Sequence, residues 1–95
     1  MEFRALIVDD EETYARSLKR LLGRRGVHAD HAATSADALA KVQRRGYDLV
    51  VLDYLLPDGN GLDLIPPICA LRPAPRVLPW RTHELPALPT DRARG

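Results

Sequence analysis

The chain has 95 residues, 45% of them hydrophobic and 28% charged, with a formal net charge of +1. That length suits one small domain with a single modest core, and the near-neutral balance gives no electrostatic footprint for nucleic acid or a membrane surface. No apolar run approaches the roughly 18 residues of a membrane-spanning helix, and Met1-Glu2-Phe3-Arg4 does not open a signal peptide, so a cytoplasmic location is expected.

Ala5-Leu6-Ile7-Val8 is a short apolar run without alternation, and Asp9-Asp10 ends it. Such runs read as strands buried on both faces, the kind that parallel sheets contain. Glu11 and Glu12 bring negative charge to a helix's first turn, and Ala15, Leu18, Leu21 and Leu22 then recur at helical spacing. Gly23 or Gly26 can end that helix. Val27–Ala32 reads as a second strand with His28 and Asp30 on one face. His31 then points the other way, so the two histidines cannot chelate one ion.

Thr34-Ser35-Ala36-Asp37 resembles a capping box, ahead of a second helix striped by Ala38, Leu39 and Val42 and closed by Gly46. Arg24-Arg25 and Arg44-Arg45 fall at helix C-termini, where cations complement the dipole. Residues 48–53, with the run Leu49-Val50-Val51-Leu52, form an expected third strand ending in Asp53. Pro57, Gly59, Asn60 and Gly61 make a turn-forming loop. Leu62, Ile65, Ile68 and Leu71 stripe a third helix, and Pro66-Pro67 implies that it is kinked or that its regular part begins near Pro66. Cys69, the single cysteine, excludes an internal disulfide and reads as a small core residue.

From residue 73 onward the composition changes, with prolines at 73, 75, 79, 86 and 89 and arginine as the commonest charge. Val77-Leu78 could begin a fourth strand, but Pro79 removes a ladder donor where a central strand needs one. Trp80 either anchors the tail on an apolar face or lies loose. The expected organisation is an α/β domain over residues 1–78 and a Pro/Arg-rich irregular tail over 79–95.

Alternating strands and helices imply a parallel sheet with right-handed crossovers. Side chains just past the carboxyl ends of parallel strands meet in the crevice where α/β proteins bind ligands. Asp9, Asp10 and Asp53 are therefore expected to converge. Three carboxylates so close repel one another unless a cation holds them, and oxygen-only ligands favour a hard ion such as Mg²⁺.

The pattern Leu6-Ile7-Val8-Asp9-Asp10-Glu11, then Leu49-Val50-Val51-Leu52-Asp53, then Pro57 and Gly61, resembles the receiver domain of two-component response regulators. The resemblance covers about residues 3 to 78. It implies a flavodoxin-like α/β fold, a parallel sheet in strand order 2-1-3-4-5 with helices on both faces. It also implies that Asp53 accepts a phosphoryl group from the phosphohistidine of a histidine kinase. Mg²⁺ would then be held by Asp10 directly, by Asp9 through water, by Asp53 and by the backbone carbonyl of Leu55. Pro57 and Gly61 would shape the loop that presents this carbonyl. A carboxylate suffices as nucleophile because a loose phosphoryl-transfer transition state asks mainly for positioning and charge neutralisation.

Two features depart from that family. Its Thr or Ser switch after the fourth strand has its nearest counterpart in Thr82, behind Pro79-Trp80-Arg81. Its Lys after the fifth strand has none, since the only lysines are Lys19 and Lys41. A missing donor of this type costs about 3 kcal/mol, or about a hundredfold in rate. The sheet is therefore expected to be incomplete at its C-terminal end, as in a truncated, frame-shifted or engineered chain. The third strand would then be an exposed edge, which implies a homodimer or swapped oligomer with Val50, Val51 and Leu52 near the interface.

A second reading is a degenerate receiver that serves as a phosphorylation-independent interaction and dimerisation module. A third, an aspartyl phosphatase, asks for Asp-x-Asp in the first strand, where this chain has adjacent aspartates. No helix-turn-helix signal follows, so specific nucleic-acid binding is not expected.

Overall fold

The structure is a computed structural model, and it describes residues 2–80. Its elements in chain order are β1 (Phe3–Val8), α1 (Glu12–Arg24), β2 (Val27–Ala32), α2 (Ser35–Arg44) and β3 (Leu49–Asp53). There follow two-residue strands β4 (Leu55–Leu56) and β5 (Gly59–Asn60), a 3₁₀ turn (Gly61–Leu64), α3 (Ile65–Cys69) and β6 (Arg76–Trp80). β4 and β5 pair with each other as a small antiparallel hairpin. The other four strands form one sheet in the order β2-β1-β3-β6, every neighbour parallel.

Burial explains why the apolar runs lack alternation. Leu6, Val8, Val50 and Leu52 join Ala38 and Val42 of α2 and Ile68 of α3 in one core cluster. Ala5, Ile7 and Val51 point to the opposite face and are equally buried, on the side where α1 packs through Ala15. Helices therefore cover both faces, as a parallel sheet requires. α1 ends at Arg24 and turns through Gly26 at φ +80°, a conformation that glycine adopts without cost. The prolines 66 and 67 occupy the first positions of α3, where a missing N–H breaks no helical bond. Cys69 is exposed, not buried; on this five-residue helix Ile68 is the side chain directed into the core. Among the described residues no helix is long and apolar enough to cross a membrane.

Pro79 does not stop the fourth strand. The Arg76 amide donates to the Asp48 carbonyl at 3.0 Å, and the Trp80 carbonyl accepts from the Tyr54 amide at 3.1 Å. Arg76, Leu78 and Trp80 thus turn their backbone groups toward β3, and Pro79, between them, faces away. Its missing donor falls on the outer side of the strand, where it costs no bond to β3. This corrects the expectation of an exposed third strand. β3 lies between β1 and β6, and Val50, Val51 and Leu52 are at most 3% exposed, covered within the chain itself.

Two contacts tie the loop after β3 to the rest of the molecule. The Asp58 carboxylate accepts from the Ser35 and Ala36 amides at 2.8 and 3.1 Å, while Thr34 Oγ1 accepts from the Asp37 amide at 3.1 Å. Between them, Thr34 and Asp58 satisfy three of the N–H groups that a helix N-terminus leaves orphaned. Gly61 is buried, and its amide donates to the Tyr54 carbonyl at 2.7 Å. A Cβ added there would collide with the Asp53 carbonyl oxygen, so only glycine fits.

The bonds from Ser35 and Ala36 hold the Asp58 carboxyl below the usual carboxylate range. A depressed folded pKa gives stability that is present above the unfolded value near about 4 and is lost as pH falls through the folded one. Asp58→Asn should therefore lower Tm at pH 7, and calorimetry should find the two proteins converging as pH drops below about 4. Gly61→Ala should cost about 1–3 kcal/mol in urea unfolding with little change in m-value, because the added methyl overpacks the Asp53 backbone.

Candidate functional site

β1 and β3 are neighbours with Val8 in register with Leu52, so the residues just beyond them, Asp9 and Asp53, come side by side. Adjacent strands run about 4.8 Å apart, which brings the two carboxylates to one place. Asp9 and Asp53 are fully buried, and Asp10 is exposed at the rim. One carboxylate oxygen from each of the three lies within 4.8 Å of the others. The convergence expected from sequence is thus present. This all-oxygen donor set fits a hard divalent cation and lacks the nitrogen or sulfur ligands that softer metals favour.

Local hydrogen bonds set the direction of each carboxylate. Asp9 Oδ1 accepts from the Glu11 amide at 2.8 Å, a side-chain turn that leads directly into α1. The Asp9 amide donates to the Ala32 carbonyl at 3.0 Å, which carries the β1–β2 ladder one residue past the strand. The Asp9 carbonyl in turn lies 2.6 Å from His31 Nε2. Asp53 Oδ1 accepts from the Leu55 amide at 3.1 Å, so the loop after β3 begins by folding back on the carboxylate.

The remaining expected site residues surround this centre. Leu55 opens the β4–β5 hairpin, with Pro57 exposed at its turn. Gly61 lies against the Asp53 backbone. Thr82 lies outside the described residues. On β6 the residue in register with Asp53 is Trp80, which bears no hydroxyl and stacks on Tyr14 with ring centroids 5.6 Å apart. That stack settles the alternatives for Trp80: it pins the end of β6 to α1. Lys41 pairs with Asp37 on α2, and Lys19 is exposed two turns into α1.

His31 and Asp58 were not among the expected site residues. For His31 the available signal was its position near the end of the strand that borders β1, beside the acidic pair. For Asp58 it was an acidic residue inside a glycine-rich turn, a short reach from any helix N-terminus nearby.

Comparison with known proteins agrees with this geometry. The family model for the response regulator receiver domain matches residues 5–85. The photosynthetic apparatus regulatory protein RegA of Rhodobacter capsulatus is 34% identical over 73 residues, covering 77% of this chain and 40% of that protein. The chain therefore spans well under half the length of that relative. A CheY-like receiver domain protein from Methanospirillum hungatei JF-1 superposes with a TM-score of 0.82 at 30% identity, covering 96% of this chain and 71% of that one. A response regulator from Burkholderia pseudomallei, solved with a phosphorylated aspartic acid, calcium ion and citrate, superposes with a TM-score of 0.78 at 33% identity. That likeness covers 82% of this chain and 46% of the other. With an acidic centre at the carboxyl ends of β1 and β3, and a family match over most of its length, the chain belongs to the receiver domains of two-component response regulators.

Proposed function

We propose that this chain is the phosphoacceptor of a phosphorelay, with Asp53 taking a phosphoryl group from the phosphohistidine of a sensor histidine kinase in the cytoplasm. Mg²⁺ would be held by Asp9, Asp10, Asp53 and the backbone carbonyl of Leu55. The observation that carries this reading is the approach of three carboxylates to within 4.8 Å at the carboxyl ends of adjacent parallel strands. Like charges at that spacing call for a cation.

Asp53 is the carboxylate best placed to act as nucleophile. It ends an interior strand, and the Leu55 amide restricts rotation of its carboxyl group. A carboxylate oxygen would form the P–O bond as the P–N bond to the kinase imidazole breaks. The imidazole nitrogen leaves with the electron pair and takes up a proton. When bound, Mg²⁺ supplies positive charge to the oxygens of the transferring group. Gly61 keeps the strand end uncluttered, and the Asp58 bonds to α2 hold the loop that carries Leu55. Of the two lysines among the described residues, Lys41 is paired with Asp37 on α2 and Lys19 is exposed on α1. Trp80, in register with Asp53, offers no hydroxyl to report phosphorylation, so any signal passes through other groups.

The test is incubation with Mg²⁺ and acetyl phosphate, read by intact mass. A phosphoryl adduct should form on the wild type and be absent from Asp53→Asn and from wild type in EDTA. A folded wild-type sample that forms no adduct would contradict the proposal and favour a phosphorylation-independent interaction module.

A further inference from the structure

We infer that His31 is a positioning residue for the metal site, its Nε2–H holding the Asp9 carbonyl and so fixing the turn that aims Asp9 and Asp10. This inference rests on the reading of the three aspartates as a Mg²⁺ site.

The contact, at 2.6 Å, is shorter than the usual N–H···O range and joins residues 22 apart in sequence. A carbonyl oxygen can only accept, so the shared proton belongs to Nε2, and a neutral ring is thereby set in the Nε2–H tautomer. β2 ends at Ala32 and the chain turns toward the Thr34 cap of α2. At this point the Asp9 carbonyl is met by a side chain of β2.

The consequence falls on the peptide plane between Asp9 and Asp10. Asp9 is held at its amide by the Ala32 carbonyl, at Oδ1 by the Glu11 amide, and at its carbonyl by His31. With the carbonyl fixed, the plane resists rotation, and the Asp10 Cα from which the exposed side chain leaves is held in place with it. His31 is itself half-buried, on a strand in register with the buried Ile7, so the ring starts from a firm base. Groups that orient metal ligands from behind in this way typically change metal affinity by about 10- to 100-fold when removed.

Substitutions at position 31 separate this role from simple packing. The amide of glutamine reaches the place of Nε2, the shorter asparagine reaches only the place of Nδ1, and leucine fills the volume without a donor. Isothermal titration of the full chain with Mg²⁺ should give affinities about tenfold weaker for His31→Leu and His31→Asn. His31→Gln should stay within about twofold of wild type. A two-bond ¹H–¹⁵N spectrum of the metal-free wild type at pH 8 should show the ring proton on Nε2. Mg²⁺ affinity unchanged in His31→Leu and His31→Asn, or a ring proton on Nδ1, would overturn the assignment. A wild type that binds no Mg²⁺ while its ring proton is on Nε2 would instead overturn the metal reading, and the positioning role with it.

Discussion

The crowding of three carboxylates into one crevice is the constraint on which the rest of this molecule depends. Two of them, Asp9 and Asp53, are fully buried, and burying like charges together opposes folding. Their proximity follows from topology. Parallel strands in register deliver the residue after Val8 and the residue after Leu52 to the same edge of the sheet. Sequence can move that pair apart only by changing the register, and the register is locked by cores on both faces. The apolar runs that make the sheet therefore also make the acidic centre.

The surroundings are arranged to keep that centre in one geometry. Glu11 and Leu55 each return a backbone amide to an aspartate, one at the end of β1 and one at the end of β3. Gly61 lets the 3₁₀ turn approach the Asp53 carbonyl, and Asp58 moors the same loop to α2. Such preorganisation suits phosphoryl transfer, where the protein contributes position and charge more than covalent chemistry. The departures from the family pattern lie on the other side of Asp53. Trp80 stands in register with it and is stacked on Tyr14, so an aromatic contact holds the position beside Asp53.

Features with local causes were readable in the sequence. β2 was legible as Val27–Ala32 and the Thr34 cap as a capping-box pattern, while a start of α3 near Pro66 was one of the two readings that its prolines left open. The acidic centre was readable too, because a strand end marks the crevice whatever the sequence between. What escaped was whatever depended on partners distant in the chain. Pro79 looked like a strand breaker because its missing donor could fall on either side, and the bond from Arg76 to Asp48 decides which. The open edge expected at Val50, Val51 and Leu52 was misjudged for the same reason, since β6 pairs with β3. Cys69 looked buried by its apolar neighbours, but a five-residue helix turns only part of its surface inward. His31 and Asp58 act across 22 and 23 residues, beyond any periodic pattern.

If the three carboxylates form a cation site, the folded chain must be stabilised by the ion that occupies it, since a ligand that binds only the native state raises stability by mass action. The most direct measurement is thermal unfolding of the full chain against Mg²⁺ concentration, with NaCl at matched ionic strength as the reference. Tm should climb with Mg²⁺ beyond the NaCl curve and keep climbing with the logarithm of concentration. Coincident Mg²⁺ and NaCl curves would contradict a metal centre built from Asp9, Asp10 and Asp53.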